Sequence, residues 1–102
     1  MARLNSRAKG ARGELEFAQY LTEAGWTSRR GQQFSGGKDS PDVISQLPYH
    51  IEVKRVEKGN LYDWLDQARR DADQKVPIVA HRRSRKQWVV VMQLDDFLKM
   101  VW

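Results

Sequence analysis

The stretch SPDVISQLPYHIEVKR, residues 40–55, predicts two short strands joined by a tight turn near Pro48. Its pattern is otherwise that of a buried segment, yet it carries the charged residues Asp42, Glu52 and Lys54. Because side chains alternate across a strand, Glu52 and Lys54 project from one face and Val53 from the other. The segment therefore predicts a small group of charged side chains on one face of a sheet.

The turn decides how close the two acidic groups come. If Gln46 pairs with His50, Asp42 and Glu52 lie on a diagonal with backbones about 7 Å apart, a gap that their side chains can close. Two carboxylates so placed repel each other unless a cation lies between them. Oxygen ligands without cysteine or paired histidine suit a hard ion such as Mg²⁺, which polarises a phosphodiester and activates water. We therefore predict a phosphodiester hydrolase in which Lys54 steadies the water or the developing charge.

The first helix contributes a third carboxylate. Glu14 lies on the same stripe as Ala18, which is expected to face inward, whereas Glu16 is about 200° around the helix on the outer side. We predict that Glu14 joins Asp42 and Glu52 around the metal, directly or through water. Gly10 and Gly13 are costly within a helix and would allow close approach by another element or by nucleic acid.

The remaining pattern predicts an α/β domain, with helices packed on a sheet. A helix is expected over residues 6–24, a strand within 26–34, strands over 42–47 and 49–55, and a helix over 61–72 capped by Asn60. Buried strands are predicted at 77–81 and 87–94, followed by a short C-terminal helix. The order is αβββαββ with that last helix, and a chain of 102 residues is expected to form one domain, residues 1–102.

The amino-acid composition limits the kinds of partner and site that the protein can have. Eighteen Lys and Arg against 13 Asp and Glu give a formal net charge of +5, which favours binding to polyanions and above all to nucleic acid. The absence of cysteine excludes disulfides, thiolate zinc sites and cysteine nucleophiles. No apolar run approaches the roughly 18 residues of a membrane span, and the first residues lack a signal-peptide core. We expect a cytoplasmic protein with no membrane partner.

Basic residues flank the acidic ones along the chain, and this placement favours phosphate contact over mere solubility. The HRRSRK turn, residues 81–86, is equally compatible with phosphate contact and with an ordinary surface turn. Trp64 is expected in the core, His50 and His81 are expected to be structural, and Gln67 is placed to lean toward the site. The predicted DNA-binding residues are Arg3, Arg7, Lys9, Arg12, Arg29, Arg30, Ser35, Lys38, Arg55 and Lys58.

At Pro41, Asp42, Glu52, Val53 and Lys54 the chain resembles the PD-(D/E)XK nuclease superfamily, and within it archaeal-type Holliday junction resolvases and their small phage-encoded relatives. The segment KGARGELEFAQYLTEAGW, residues 9–26, is similar to the first helix of these enzymes. In that helix a Glu shortly after Lys-Gly is a catalytic ligand. The matching position here is Glu14.

The resemblance implies a restriction-endonuclease-like mixed sheet, Mg²⁺-dependent DNA cleavage in which Mn²⁺ can substitute, and a homodimer that nicks two strands of a four-way junction in a bacterial or archaeal cell. The implied metal ligands are Glu14, Asp42, Glu52 and the backbone carbonyl of Val53, with Lys54 completing the catalytic set. Asp39 is an alternative ligand. Two other functions stay open: a nickase or flap or duplex endonuclease of the same superfamily, and a non-catalytic DNA-binding module.

Overall fold

A computed structural model of the chain describes residues 6–31 and 41–101, the side chains of residues 6–9 excepted. The elements are α1 (Ser6–Glu23), β1 (Ser28–Arg30), β2 (Val43–Ser45), β3 (Tyr49–Arg55), α2 (Leu61–Asp71), β4 (Val76–Arg82), β5 (Val89–Val91) and α3 (Leu94–Met100). This order confirms the predicted α/β class and the predicted sequence of elements. Arg3, Ser35, Lys38 and Asp39, named above as candidate site residues, lie outside the described residues.

The five strands form one mixed sheet in the order β1-β2-β3-β4-β5. The pairs β1–β2, β2–β3 and β4–β5 are antiparallel. The central pair β3–β4 is parallel, and α2 connects its two strands. Strand β3 is therefore flanked on both sides, which places its side chains in the middle of the sheet.

The two long helices cover opposite faces of the sheet. Phe17 and Ala18 of α1 belong to the same buried cluster as Ile51 and Val53 of β3. A second cluster joins α2 to the other face through its contacts with Val79 of β4. Because side chains alternate along β3, Glu52 and Lys54 lie on the face that α2 covers.

Helix α1 approaches β3 closely at one glycine. A Cβ atom added at Gly13 would lie 2.6 Å from Cβ of Arg55, closer than real Cβ atoms approach. Gly10, by contrast, has open space where its Cβ would be. The predicted role of glycine in close approach is therefore confirmed at Gly13, where the neighbouring element is the end of β3.

The predicted pairing of the first hairpin strands is wrong by two residues. The structure pairs Val43 with Ile51, so that Gln46 does not face His50. Gln46 is held by β1 instead: its N–H donates to the Thr27 carbonyl over 3.1 Å, and its Oε1 accepts from the Thr27 N–H over 3.0 Å. Strand β2 consequently ends at Ser45 rather than at Leu47.

The prediction of a long buried strand over 87–94 is also wrong. Strand β5 has three residues and lies at the edge of the sheet, with Val89 and Val90 about half exposed. An edge strand is covered on fewer sides than a central one, which explains why an apolar run there remains in contact with solvent. No helix among residues 6–31 and 41–101 combines the length and the apolar character needed to cross a bilayer.

Candidate active site

Asp42 is fixed at the point where the chain enters β2. Its N–H donates to the Ile51 carbonyl over 2.9 Å, and its own carbonyl accepts from the Gly31 N–H over 2.8 Å. Its side chain turns toward β3, where Oδ2 accepts a 2.8 Å hydrogen bond from the Val53 N–H. These contacts hold the carboxylate beside the segment that carries Glu52.

Glu52 is a buried carboxyl group, with the residue 5% exposed. Its Oε1 lies 2.9 Å from Nε2 of His50, which is buried on the same face of β3. Burial and the nearby carboxyl of Asp42 raise the pKa of Glu52 to about 7, against the opposing effect of His50. Glu52 is thus placed where its negative charge lacks sufficient compensation from the protein itself.

Glu14 is buried in the middle of α1, with the residue 8% exposed. Its Oε1 accepts a 2.7 Å hydrogen bond from Nε of Arg30 on β1. Burial raises the pKa of Glu14 above its ordinary value, Arg30 opposes this, and the charge of Asp42 raises it further. The inward orientation predicted for Glu14 is confirmed.

Asp42 is the shared neighbour of the other two acids. It raises the pKa of both Glu14 and Glu52, and a hydrogen-bonding contact between the Asp42 and Glu52 carboxyls adds to the effect on Glu52. The two-residue shift in strand pairing explains the second contact, because it moves Asp42 from the expected diagonal toward Glu52. Glu14 is held by Arg30, and Glu52 is held by His50.

The chemistry of this group fits a divalent cation. Its potential ligands are carboxylate oxygens, which divalent cations such as Mg²⁺ prefer. Two of the acids, Glu14 and Glu52, are buried and have a raised pKa, so ionising them costs free energy. A bound cation would remove that cost. In the part of the chain that is described, no three acidic or histidine side chains already stand in a metal-binding arrangement. Glu14 and Glu52 would exchange their contacts with Arg30 and His50 for the ion.

Lys54 lies two residues beyond Glu52 on the α2 side of β3. Its Nζ is 3.4 Å from Oε1 of Gln67 on α2. Gln67 thus leans toward the site, as its place on the helix predicted. The contact is long for a hydrogen bond, so Lys54 is oriented by α2 without being immobilised.

The predicted DNA-binding residues fall into three groups. Arg12, Arg29 and Lys58 are exposed and form no side-chain hydrogen bond or ion pair within the described residues. Arg30 and Arg55 are engaged with acidic side chains, Arg30 with Glu14. The side chains of Arg7 and Lys9, on α1, lie outside the description, as do Arg3, Ser35 and Lys38.

Glu16, which was expected on the outer side of α1, is partly exposed and forms ion pairs with two arginines. Its Oε1 lies 2.6 Å from an Nη atom of Arg82 and 3.6 Å from Nε of Arg55. It therefore links the first helix to the ends of β3 and β4. This network fixes α1 against the sheet at the ends of these two strands.

His50 was expected to be structural, and its contact with Glu52 is the partner that the sequence analysis did not name. The available signal was its position two residues before Glu52, which puts both side chains on one face of β3. His81 contacts a backbone carbonyl, that of Val56, over 3.1 Å. Arg30 was predicted to bind DNA, whereas its partner in the structure is Glu14.

The mixed sheet, with Asp42 at the start of one strand and Glu52, Val53 and Lys54 on the next, is compatible with a restriction-endonuclease-like fold. Residues 5–101 match the family described as "Phage putative PDDEXK endonuclease". The chain belongs to this family, which makes it a nuclease of the PD-(D/E)XK superfamily and a relative of phage-encoded proteins. Comparisons with curated proteins and with solved structures gave no significant match.

Proposed function

We propose that the protein is a Mg²⁺-dependent endodeoxyribonuclease. The observation that carries this proposal is the position of Asp42, held by the Val53 N–H, beside the buried Glu52 at the positions of the nuclease motif. Buried acids with a raised pKa, such as Glu14 and Glu52, are costly to stability unless they serve to bind a cation or to transfer protons. The net charge of +5 supports DNA as the polyanionic substrate.

Each residue of the site has a distinct role in the proposed reaction. Glu14, Asp42, Glu52 and the Val53 carbonyl would hold the ion, which would supply Lewis-acid activation of a phosphodiester. The Val53 N–H holds Asp42 in place, since it donates to the carboxylate Oδ2. Lys54, oriented by Gln67, places its ammonium group beside the attacking water or the developing negative charge.

The proposed substrate is a branched DNA, and specifically a four-way junction that is resolved by symmetric paired nicks. Such a reaction needs two equivalent sites, which a twofold homodimer provides. Exposed apolar side chains on β5 and α3, including Val90, Leu94 and Leu98, support a second copy as the partner. The resemblance to junction resolvases at the motif supports the same substrate.

The second candidate is a nickase, or a flap or duplex endonuclease, that cuts with the same active site but without a symmetric pair of sites. A set of end-labelled DNAs separates the two candidates: a four-way junction, a flap and a plain duplex, each incubated with and without Mg²⁺. Paired nicks at symmetric positions of the junction are expected for a resolvase. Preferential cutting of the flap or duplex would replace it with the second candidate.

Glu52→Gln is the control that attributes cleavage to this site. The substitution keeps the size of the side chain and removes the charge, so we expect cleavage to be lost and DNA binding to be retained or tightened. Metal-dependent cleavage that survives the substitution contradicts the proposed active site. Absence of cleavage in the parent protein on all three DNAs, with binding intact, would favour a non-catalytic DNA-binding module.

A further inference from the structure

A second feature lies beside the candidate active site, where a cleft of about 490 Å³ opens between the start of α2 and the turn after β4. This volume falls within the roughly 300–1,000 Å³ range of small-ligand sites. Three of its side chains form an apolar wall: Leu61 and Trp64 from α2 and Val89 from β5. Leu61 is 43% exposed and Val89 is 51% exposed, so the wall is accessible to a ligand.

Cations surround this wall. Lys58, Arg83 and Lys86 line the cleft, are exposed, and form no side-chain hydrogen bond or ion pair with any described residue. Arg82 also lines it but is held by Glu16. The one acid in the lining, Glu57, accepts hydrogen bonds from Ser84. The cleft thus combines an apolar surface with three cations that have no protein partner in the described chain.

The cleft is continuous with the proposed catalytic lysine. Lys54 and His81 are direct neighbours on the parallel strands β3 and β4, about 5 Å apart across the ladder. On α2, Gln67 contacts Lys54 and Trp64 packs against the His81 ring at a centroid distance of 4.8 Å. Because Trp64 and Gln67 are one helical turn apart, the same face of α2 passes from the active site to the cleft.

We propose that this cleft binds one unpaired nucleotide of the DNA strand that passes Lys54. Its phosphate lies against Lys58, Arg83 and Lys86, and its base packs on the wall of Leu61, Trp64 and Val89. Cations that follow the backbone beside apolar or aromatic surfaces that accept bases are the features by which proteins bind single strands. The inference rests on the proposed nuclease function and adds a contact for one nucleotide that is unpaired next to the cut, whether in a flap or opened at the branch point of a junction.

The first test measures DNA binding without cleavage. A short fluorescein-labelled single strand and its blunt duplex are titrated with protein in EDTA, and the dissociation constants are followed by fluorescence anisotropy. The combined substitutions Lys58→Ala, Arg83→Ala and Lys86→Ala are expected to weaken single-strand binding by roughly tenfold and duplex binding much less. The slope of log affinity against log salt for the single strand should fall by up to about 2.

The matched control removes the same charge elsewhere. Arg69, Arg70 and Lys99 are exposed cations outside the cleft, and their combined change to Ala is expected to leave the preference for single strands over duplex unchanged. Equal losses in the two triple variants overturn the proposal, because net charge alone would then explain binding. Equal losses for single strand and duplex in the cleft variant also overturn it.

A second pair of variants tests the apolar wall. Leu61→Glu places a negative charge in the cleft, whereas Tyr62→Glu places it on the next residue, which does not line the cleft and is 74% exposed. Only Leu61→Glu should abolish the preference for the single strand, with circular dichroism confirming that both variants fold. Similar binding by the two variants contradicts the proposal. Because EDTA suppresses cleavage, these results stand whether or not the nuclease assignment survives Glu52→Gln.

Discussion

Asp42 and Val53 are joined by a 2.8 Å hydrogen bond from the Val53 backbone N–H to Oδ2 of Asp42. This bond crosses from the start of β2 to the middle of β3 and brings an acid of one strand next to Glu52 on the other. A backbone donor cannot be removed by side-chain substitution at Val53. The position of Asp42 is thus fixed by the sheet itself.

The charge of Asp42 and its hydrogen bond can be separated by substitution. Asp42→Asn keeps an oxygen that can accept from the Val53 N–H, so we expect stability close to that of the parent and cleavage lower by roughly a hundredfold or more. Asp42→Ala also leaves that donor without its partner and should cost about 1–3 kcal/mol of unfolding free energy. Urea unfolding and cleavage rates measure the two effects. Equal stability of the Asn and Ala variants would contradict a structural role for the bond.

The raised pKa of Glu52 predicts a pH-dependent stability. Since its pKa rises on folding from the ordinary value of 4.5 to about 7, its contribution to stability is greatest below the unfolded value and is lost as the pH rises through that range. Glu52→Gln should therefore stabilise the metal-free protein near pH 8. Each pKa unit corresponds to about 1.4 kcal/mol, so the gain is at most about 3–4 kcal/mol.

Thermal unfolding of parent and variant in EDTA, at about pH 5 and about pH 8, checks this prediction. The difference in Tm between the two proteins should be small at the lower pH, and the variant should have the higher Tm at the higher pH. A difference that does not change with pH contradicts the burial of an uncompensated charge at Glu52. Asp66→Asn, at an exposed acid of α2, serves as the control.

Lys54 and Gln67 should affect catalysis to different degrees. Lys54→Ala removes the ammonium group, and we expect cleavage to fall by roughly 10² or more while metal affinity is retained. Gln67→Ala removes only the 3.4 Å contact that orients Lys54, so we expect a loss of several-fold at most. Single-turnover cleavage rates measure both. A larger loss at Gln67 than at Lys54 would reverse the assigned roles.

Gly13 and Gly10 form a matched pair within α1. Gly13→Ala places a Cβ 2.6 Å from Arg55 and should push the helix from β3, costing about 1–3 kcal/mol of unfolding free energy and displacing the neighbouring Glu14. Gly10→Ala meets open space and should stabilise the helix by about 0.5–1 kcal/mol. Denaturant unfolding compares them. Changes in unfolding free energy of the same sign for both variants would contradict the close approach of α1 to β3.

Local signals predicted the helices well. Asn60 was expected to cap α2, and its Oδ1 accepts hydrogen bonds from the N–H groups of Tyr62 and Asp63. Helix α1 ends at Glu23, one residue before the predicted limit. Capping and helical periodicity act over a few residues, and for this reason they can be recognised in the sequence alone.

Features that depend on distant partners could not be predicted in the same way. The pairing of β2 with β3 differs from the prediction because Gln46 bonds to Thr27, a residue 19 positions away, and not to the strand beyond the turn. Strand β5 was expected to be buried because periodicity does not reveal which strand lies at a sheet edge. The sequence predicted that Glu14, Asp42 and Glu52 share a metal ion, but the contacts of Glu14 with Arg30 and of Glu52 with His50 emerge only from the three-dimensional structure.

The capture of a divalent ion by Asp42 and Glu52 is tested most directly by crystallography with Mn²⁺. Anomalous scattering locates the ion, and crystals of Asp42→Asn grown under the same conditions serve as the control. We expect an anomalous peak bound by the carboxylates of Asp42 and Glu52 in the parent and its loss in the variant. Crystals with Mn²⁺ bound elsewhere, or with none bound while Glu52 keeps its contact with His50, would contradict the proposed metal site.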